Sequence, residues 1–325
     1  MADMTPPAGA DEFLAAHGWG GATIEPLAGD ASFRRYFRVH DAGRAAVLMD
    51  APPPHEDPRP FLDVARWLGE RGFAAPGIHA ADVDRGLVLL QDFGDDRMRE
   101  AIDASPEQTL PLYRQAIDLL IALRRHPAGP LRPYSRAELH REVNLFVEWY
   151  CPAVGLEVDQ QGWHAAWDSV FDHALTAEPV TVLRDYHAEN LMLVGPERSL
   201  GLLDFQDALA GHPAYDVVSL LQDARRDVDP GVEEAMLGHY REATGEGDAF
   251  MRAYHVLGAQ RNAKIIGIFT RLWRRDGKPR YPTLCPRVWT YMERDLSQPV
   301  LARVAAWFDD NVPPEMRGDP LALAQ

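Results

Sequence analysis

An Asp, an Asn and a second Asp stand in this chain at a spacing suited to phosphoryl transfer. Asp185 lies in Leu183-Arg184-Asp185-Tyr186-His187-Ala188-Glu189-Asn190, and Asp204 follows in Leu202-Leu203-Asp204-Phe205. Moving a phosphoryl group onto an alcohol needs a carboxylate to orient the hydroxyl and take its proton. It also needs oxygen ligands to hold Mg²⁺ on the nucleotide phosphates. Asp185 fits the first task; Asn190 and Asp204 fit the second. A plain hairpin with turn-forming Asp and Asn uses the same residue types, but the second Asp, delivered by a strand, favours the chemical reading.

The surrounding elements must bring these three groups together. Apolar runs at 180–183, 191–194 and 200–203 read as short strands, with 184–190 a tight loop and Gly195-Pro196-Glu197-Arg198 a turn. Upstream, 11–19 reads as a helix, 22–26, 33–40 and 44–49 as strands, 60–70 as a helix, and 77–81 and 86–91 as strands. Helical periodicity dominates afterwards, at 106–125, 136–150, 158–176, 213–226, 231–243, 247–275, 284–295 and 297–309. The expected architecture is α+β, with a small strand-rich lobe over 1–91 and a larger helical lobe over 92–325. A cleft between two such lobes is a natural small-molecule site. Asp92-Phe93-Gly94 looks like a second metal motif, but its place at the lobe boundary reads as a turn.

With 325 residues the chain is long enough for two lobes, each with a core, and 46% hydrophobic with 25% charged residues is ordinary for a globular protein. A formal charge of −16 argues against nucleic-acid binding. No apolar run is long enough for a membrane span, and the N-terminus lacks the pattern of a signal peptide. Two distant cysteines, Cys151 and Cys285, match no metal spacing, so a reduced, cytoplasmic setting is expected. Against the acidic background, 261–287 holds Arg261, Lys264, Arg271, Arg274, Arg275, Lys278, Arg280 and Arg287 with Asp276 as its one acid. Such a segment points to an anionic ligand, or to cations that offset acidic surface and cap helices.

Leu183-Arg184-Asp185 with Asn190 resembles the catalytic loop of the protein-kinase-like superfamily, and Asp204-Phe205 resembles its metal-binding element. Within it the chain resembles the aminoglycoside phosphotransferase-like small-molecule kinases. Further stretches are similar to the bacterial anomeric kinases of N-acetylmuramate and N-acetylglucosamine, which serve cell-wall (peptidoglycan) sugar recycling. These are 29–38, 47–52, Gly211-His212-Pro213-Ala214-Tyr215-Asp216, 260–264 and 275–278, within a likeness running from about Leu14 to Leu296.

The resemblance implies a two-lobed protein-kinase-like fold, ATP and Mg²⁺ as cofactors, and a sugar α-1-phosphate as product. No nucleic acid, membrane or obligatory protein partner is expected. Asp185 would be the base and Asn190 and Asp204 the metal ligands, while Asp216 would brace the loop. Gly29, Asp30, Ala31 and Ser32 would fold over the nucleotide, with Gln91 leading into the hinge that holds adenine. One departure is clear: 45–50 carries no Lys where the superfamily places its phosphate-holding Lys. Arg35, or its neighbours Arg34 and Arg38, would supply that charge. His187, Asn144, Arg261 and Lys264 are candidates for the sugar, with Arg261 and Lys264 directed at the lactyl carboxylate of N-acetylmuramate. Glu138, Glu142 and Glu148 read as a solvated helix face. Alternatives are a kinase of aminoglycosides or amino alcohols, or a weakly catalytic nucleotide-binding regulator.

Overall fold

The computed structural model describes residues 5–27 and 33–324. Along the chain, α1 (Ala10–Ala16) precedes β1 (Thr23–Leu27), β2 (Arg35–Asp41), β3 (Arg44–Asp50), α2 (Arg59–Gly69), β4 (Ile78–Asp82) and β5 (Leu87–Gln91). Next come α3 (Met98–Ala104), α4 (Thr109–Leu123), α5 (Arg136–Leu145), α6 (Cys151–Ala153), α7 (Gln160–Asp168) and α8 (Asp172–Leu175). Strands β6 (Val180–Val182), β7 (Leu191–Val194), β8 (Ser199–Leu202) and β9 (Leu209–Gly211) follow. The chain ends in α9 (Ala214–Leu221), α10 (Pro230–Thr244), α11 (Asp248–Arg274), α12 (Cys285–Leu296), α13 (Ala302–Asn311) and α14 (Pro320–Leu323).

Two compact units result: Met1–Ala104 with Glu189–Asp207, and Ser105–Ala188 with Ala208–Gln325. These bounds differ from a division at residue 91. The β7–β8 hairpin belongs to the first unit because its outward backbone groups bond there: Leu193 N–H to Asp96 O at 2.7 Å and Leu202 N–H to Ala74 O at 2.8 Å.

The first unit is built on an antiparallel sheet in the order β1-β2-β3-β5-β4. Alternating side chains of β2 and β3, Phe37, Val39, Ala46 and Leu48, form one buried face with Leu87 and Leu89 of β5. Phe13 and Leu14 of α1 and Trp19 join that cluster. Val88 and Leu90 of β5 are buried as well, as an interior strand covered on both faces requires. Between β2 and β3 the chain reverses through Ala42 and Gly43, at φ 49° and 84°. Positive φ at both central residues is the tight turn that matches strand twist.

The second unit is helical around α11, whose 259–270 stretch is buried except at Lys264 and Ile268. Phe146, Trp163, Trp289 and Phe308 pack face to face and edge to face, with ring centroids 5.3–5.7 Å apart among Phe146 and its three partners. The 136–150 helix continues past Leu145 as a π-turn over Phe146–Tyr150, which inserts a residue and turns the aromatic side chains toward that cluster. The 158–176 segment is two helices, α7 and α8. Strands β6 and β9 pair with each other, not with β7 and β8, so 180–194 is not a hairpin. The short α3 and β9 carry too few residues to show a period.

Helices α5 and α11 touch at Gly267, where an added methyl group would run into the Leu145 carbonyl. Gly238 in α10 faces open space. Gly→Ala ordinarily gains about 1 kcal/mol in a helix interior, whereas overpacking a core contact costs about 1–3 kcal/mol. Gly267→Ala is therefore expected to lower the urea midpoint and Gly238→Ala to raise it.

Candidate active site

The β7–β8 hairpin pairs Leu191 with Leu202 and Val194 with Ser199. One step beyond, Leu203 N–H donates to Asn190 O at 3.0 Å. Asn190 and Asp204 thus leave the open end of the hairpin side by side, with Asn190 Nδ2 3.4 Å from Asp204 Oδ2. Gln206 Nε2 donates to Asp204 Oδ1 at 2.8 Å. Asp204 is exposed, and its φ of 59° is left-handed, a conformation that costs a residue with a Cβ roughly 1–2 kcal/mol. The neighbouring Phe205 holds it there, buried and stacked on Phe61 of α2 at 5.0 Å. Arg99 of α3 pairs with Glu189 and fixes the other side.

An amide oxygen and a carboxylate at one hairpin end suit Mg²⁺, which takes one or two protein oxygens and completes its octahedron with phosphate and water. Among the described residues no three His, Cys, Asp or Glu gather as a metal cage. The donor set therefore fits a cation that arrives with phosphate.

The arginines around β2 have three different fates. Arg38 grips the turn after β5, with Nε 2.7 Å from Asp92 and Nη2 2.9 Å from Asp95. Asp92 also accepts from Gly94 N–H at 2.8 Å, so Asp92-Phe93-Gly94 is a turn. Arg35 pairs across the sheet with buried Asp50 at 2.6 Å. Arg34 pairs with Glu56, just ahead of α2, at 3.0 Å, both side chains being largely covered. Burial opposes the Arg34 charge, but Tyr36 and Glu56 outweigh it and hold its pKa above the usual value. Burial pushes the Tyr36 phenol up to about 12; Arg34 lowers it and Asp204 raises it. Arg34, Tyr36, Glu56 and Asp204 thus form one electrostatic group within the first unit. Gln91 N–H donates to Gly77 O at 2.7 Å, and its side chain accepts from Gly77 N–H at 3.2 Å. Its backbone donor is therefore committed to the strand edge. Gly29, Asp30, Ala31 and Ser32 lie outside the described residues.

In the second unit the chain around Asp185 is fastened at four points. Buried Asp216, in the first turn of α9, accepts from Leu183 N–H at 2.6 Å and Arg184 N–H at 2.9 Å. Ser219 Oγ donates to Arg184 O at 3.1 Å, and Tyr186 OH to Ala116 O at 2.8 Å. Burial pushes the Asp216 carboxyl up to about 7, against the two backbone donors that lower it. Arg184 sits at φ 73°, so the residues just before Asp185 and at Asp204 are both left-handed. Strain of this kind persists only where surroundings over-determine it.

Beside the loop lies a buried carboxylate where the helical pattern predicts a solvated face. Glu142 is 1% exposed. Tyr134 OH and Gln260 Nε2 (2.9 Å) donate to one oxygen; Arg184 Nη2 and Lys264 Nζ (2.9 Å) donate to the other. Burial would raise its pKa, but Lys264 and Arg184 bring it down to about 2. Glu142 occupies the apolar stripe of its helix, three after Leu139 and four before Phe146, and that spacing was the available signal.

The remaining candidates divide. Lys264 lies in the Glu142 group, close enough for Asp185 to raise its pKa alongside Glu142. Arg261 is 3% exposed and donates to Gln222 O at 3.5 Å, so it faces the interior, not the same side as Lys264. His187 is buried and takes Arg225 Nη1 at 3.1 Å. Burial first, then Arg225 and Arg261, hold its pKa well below the usual value, leaving a neutral imidazole. Asn144 Oδ1 accepts from Trp163 Nε1 at 3.2 Å, tying it to the aromatic cluster.

The phosphotransferase enzyme family (APH) matches residues 23–254. The chain is 38% identical to the N-acetylmuramate/N-acetylglucosamine kinase of Caulobacter vibrioides, over 94% of this chain and 96% of that one. To the enzyme of that name from Pseudomonas aeruginosa it is 40% identical, over 90% of each. An ADP-bound aminoglycoside phosphotransferase shares the fold at a TM-score of 0.60 and 14% identity, over 92% of this chain and 99% of that one. A choline/ethanolamine kinase family protein from Mesorhizobium loti does so at 0.58 and 14%, over 97% and 96%. The fold is therefore that of the protein-kinase-like phosphotransferases, and no described helix is long and apolar enough to cross a membrane. The chain therefore belongs to the phosphotransferase enzyme family.

Proposed function

We propose that this protein is an ATP-dependent kinase that phosphorylates the anomeric hydroxyl of N-acetylmuramate and N-acetylglucosamine. The observation that carries the reading is the likeness to kinases of that name at 36–40% identity, extending over 82–94% of the chain and so through the helical unit. Asp185 orients the anomeric hydroxyl and takes its proton as the oxygen attacks the γ-phosphorus of ATP. The bond from that phosphorus to the ADP oxygen breaks, giving the sugar 1-phosphate. Asn190 and Asp204 would hold Mg²⁺, which when bound neutralises phosphate charge. The cations Arg184 and Lys264, kept in place by Glu142, stand within electrostatic reach of Asp185. ATP use is supported by the nucleotide-bound relatives of the same fold.

Arg34 is the cation best suited to replace the absent strand Lys. Arg44 on β3 pairs with Asp41 and covers Trp19, so it is engaged elsewhere. The one acid of α2, Asp63, pairs with Arg66 on the exposed face. The Arg34–Glu56 pair supplies both halves of the usual Lys–Glu arrangement from positions just outside β2 and α2.

Two results are expected. In a coupled assay with N-acetylmuramate, N-acetylglucosamine, kanamycin and choline, ADP release should follow the two amino sugars, and Asp185→Asn should lower kcat by about 10²–10⁴-fold with ATP still bound. Turnover on an amine but on neither sugar would overturn the acceptor assignment. Arg34→Ala should raise KM for ATP roughly 10-fold or more, the scale of a lost charge-assisted hydrogen bond, while sugar KM stays within about twofold; an unchanged ATP KM would remove Arg34 from the nucleotide site.

A further inference from the structure

Helix α11 has one partly open stripe in an otherwise buried stretch. Lys264, Ile268 and Arg271 are half-buried and Arg275 is exposed, at helical spacing, while 259–263, 265–267, 269, 270 and 272 are buried. The stripe begins at Lys264, within the electrostatic reach of Asp185. It reaches Arg271 two turns later, about 10 Å along the axis. Ile268 between them offers an apolar surface of the kind that the C–H face of a sugar ring covers.

Among the described residues, the cations of the stripe and those packed beside it are paired except at Arg271. Arg141 pairs with Glu138, Arg184 and Lys264 pair with Glu142, and Arg275 pairs with Asp276 at 2.7 Å. Arg271 makes no ion pair among the described residues, and its Nε is buried without a hydrogen-bond acceptor. Burial first, then Arg275 and Arg141, lower its pKa, while Asp276 and Glu148 stand too far off to pair with it. A half-covered guanidinium short of an acceptor and crowded by like charge is relieved by a carboxylate ligand.

We propose that Arg271, with Arg141 beside it, takes the carboxylate of an acidic sugar whose hydroxyl is presented to Asp185. The inference rests on the sugar-kinase reading above and gives N-acetylmuramate a contact that N-acetylglucosamine lacks. Arg261, the sequence candidate for this task, is enclosed between α9 and α11, whereas Arg271 opens on the stripe. The two sugars differ by a lactyl ether, so the site discriminates by charge at one end of a shared ring-binding surface.

The test is steady-state kinetics of the full chain with each sugar for wild type, Arg271→Ala, Arg271→Lys and, as a surface control, Arg274→Ala. Arg271→Ala should lower kcat/KM for N-acetylmuramate about 10–100-fold, mostly through KM, with Arg271→Lys recovering part of the loss. N-acetylglucosamine should stay within about twofold in both variants, which also reports that they fold, and Arg274→Ala should resemble wild type. Equal losses for both sugars, or none for either, would overturn the carboxylate site while leaving the kinase reading intact. Wild-type turnover of neither sugar would overturn both.

Discussion

A single buried carboxylate organises the second unit. Glu142 receives two cations and two neutral donors in an interior site, and those donors come from three separate segments. Arg184 belongs to the loop of Asp185, Lys264 and Gln260 to the central helix, and Tyr134 to the segment before α5. An isolated charge in such a place costs several kcal/mol in lost hydration. All four partners together make ionisation favourable, as its low pKa reflects. Loop and helix cannot move apart without leaving that charge unmatched, so electrostatics fixes what the short β6 strand alone would leave loose. The strained backbone of Arg184 is held by the same constraint.

The first unit solves its problem locally. Strand register in one hairpin is enough to set Asn190 beside Asp204, and the stacking of Phe205 on Phe61 holds the left-handed turn. Little long-range packing is needed because the groups are fourteen residues apart and joined by a single reversal. Nearby, Arg34 and Glu56 pair at 3.0 Å just outside β2 and α2, where Arg34 is proposed to take the place of a strand Lys. What a phosphate senses is a guanidinium or ammonium at a place in space, and the strand that bears it is secondary.

This contrast explains which features the sequence made legible. The placement of Asn190 beside Asp204 was readable because it follows from short-range alternation and one turn. The five strands of the sheet were readable for the same reason, with ends displaced by only a few residues. Glu142 was misread because acidity outweighed its place on the apolar stripe, and its partners lie far along the chain. Arg261 and Lys264, three positions apart, looked like one face; packing against α5 and α9 turned one inward and left the other on the open stripe. Likewise the pairing of β6 with β9, and the transfer of 189–207 to the first unit, depend on backbone bonds to distant segments. No local period encodes them.

The second unit depends on Glu142 being an ionised, fully matched interior charge. Its depressed pKa means that the native pair contributes stability above the unfolded value of 4.5, which is lost as pH falls toward about 2. The direct measurement is the unfolding free energy of wild type and Glu142→Gln by urea titration at pH 7 and pH 3. The variant should be less stable by about 3–5 kcal/mol at pH 7, and the gap should narrow by roughly 1–2 kcal/mol at pH 3, where Glu142 of the unfolded wild-type chain takes up a proton that the native carboxylate still refuses. A gap below about 1 kcal/mol at pH 7, or one that does not change with pH, would contradict it.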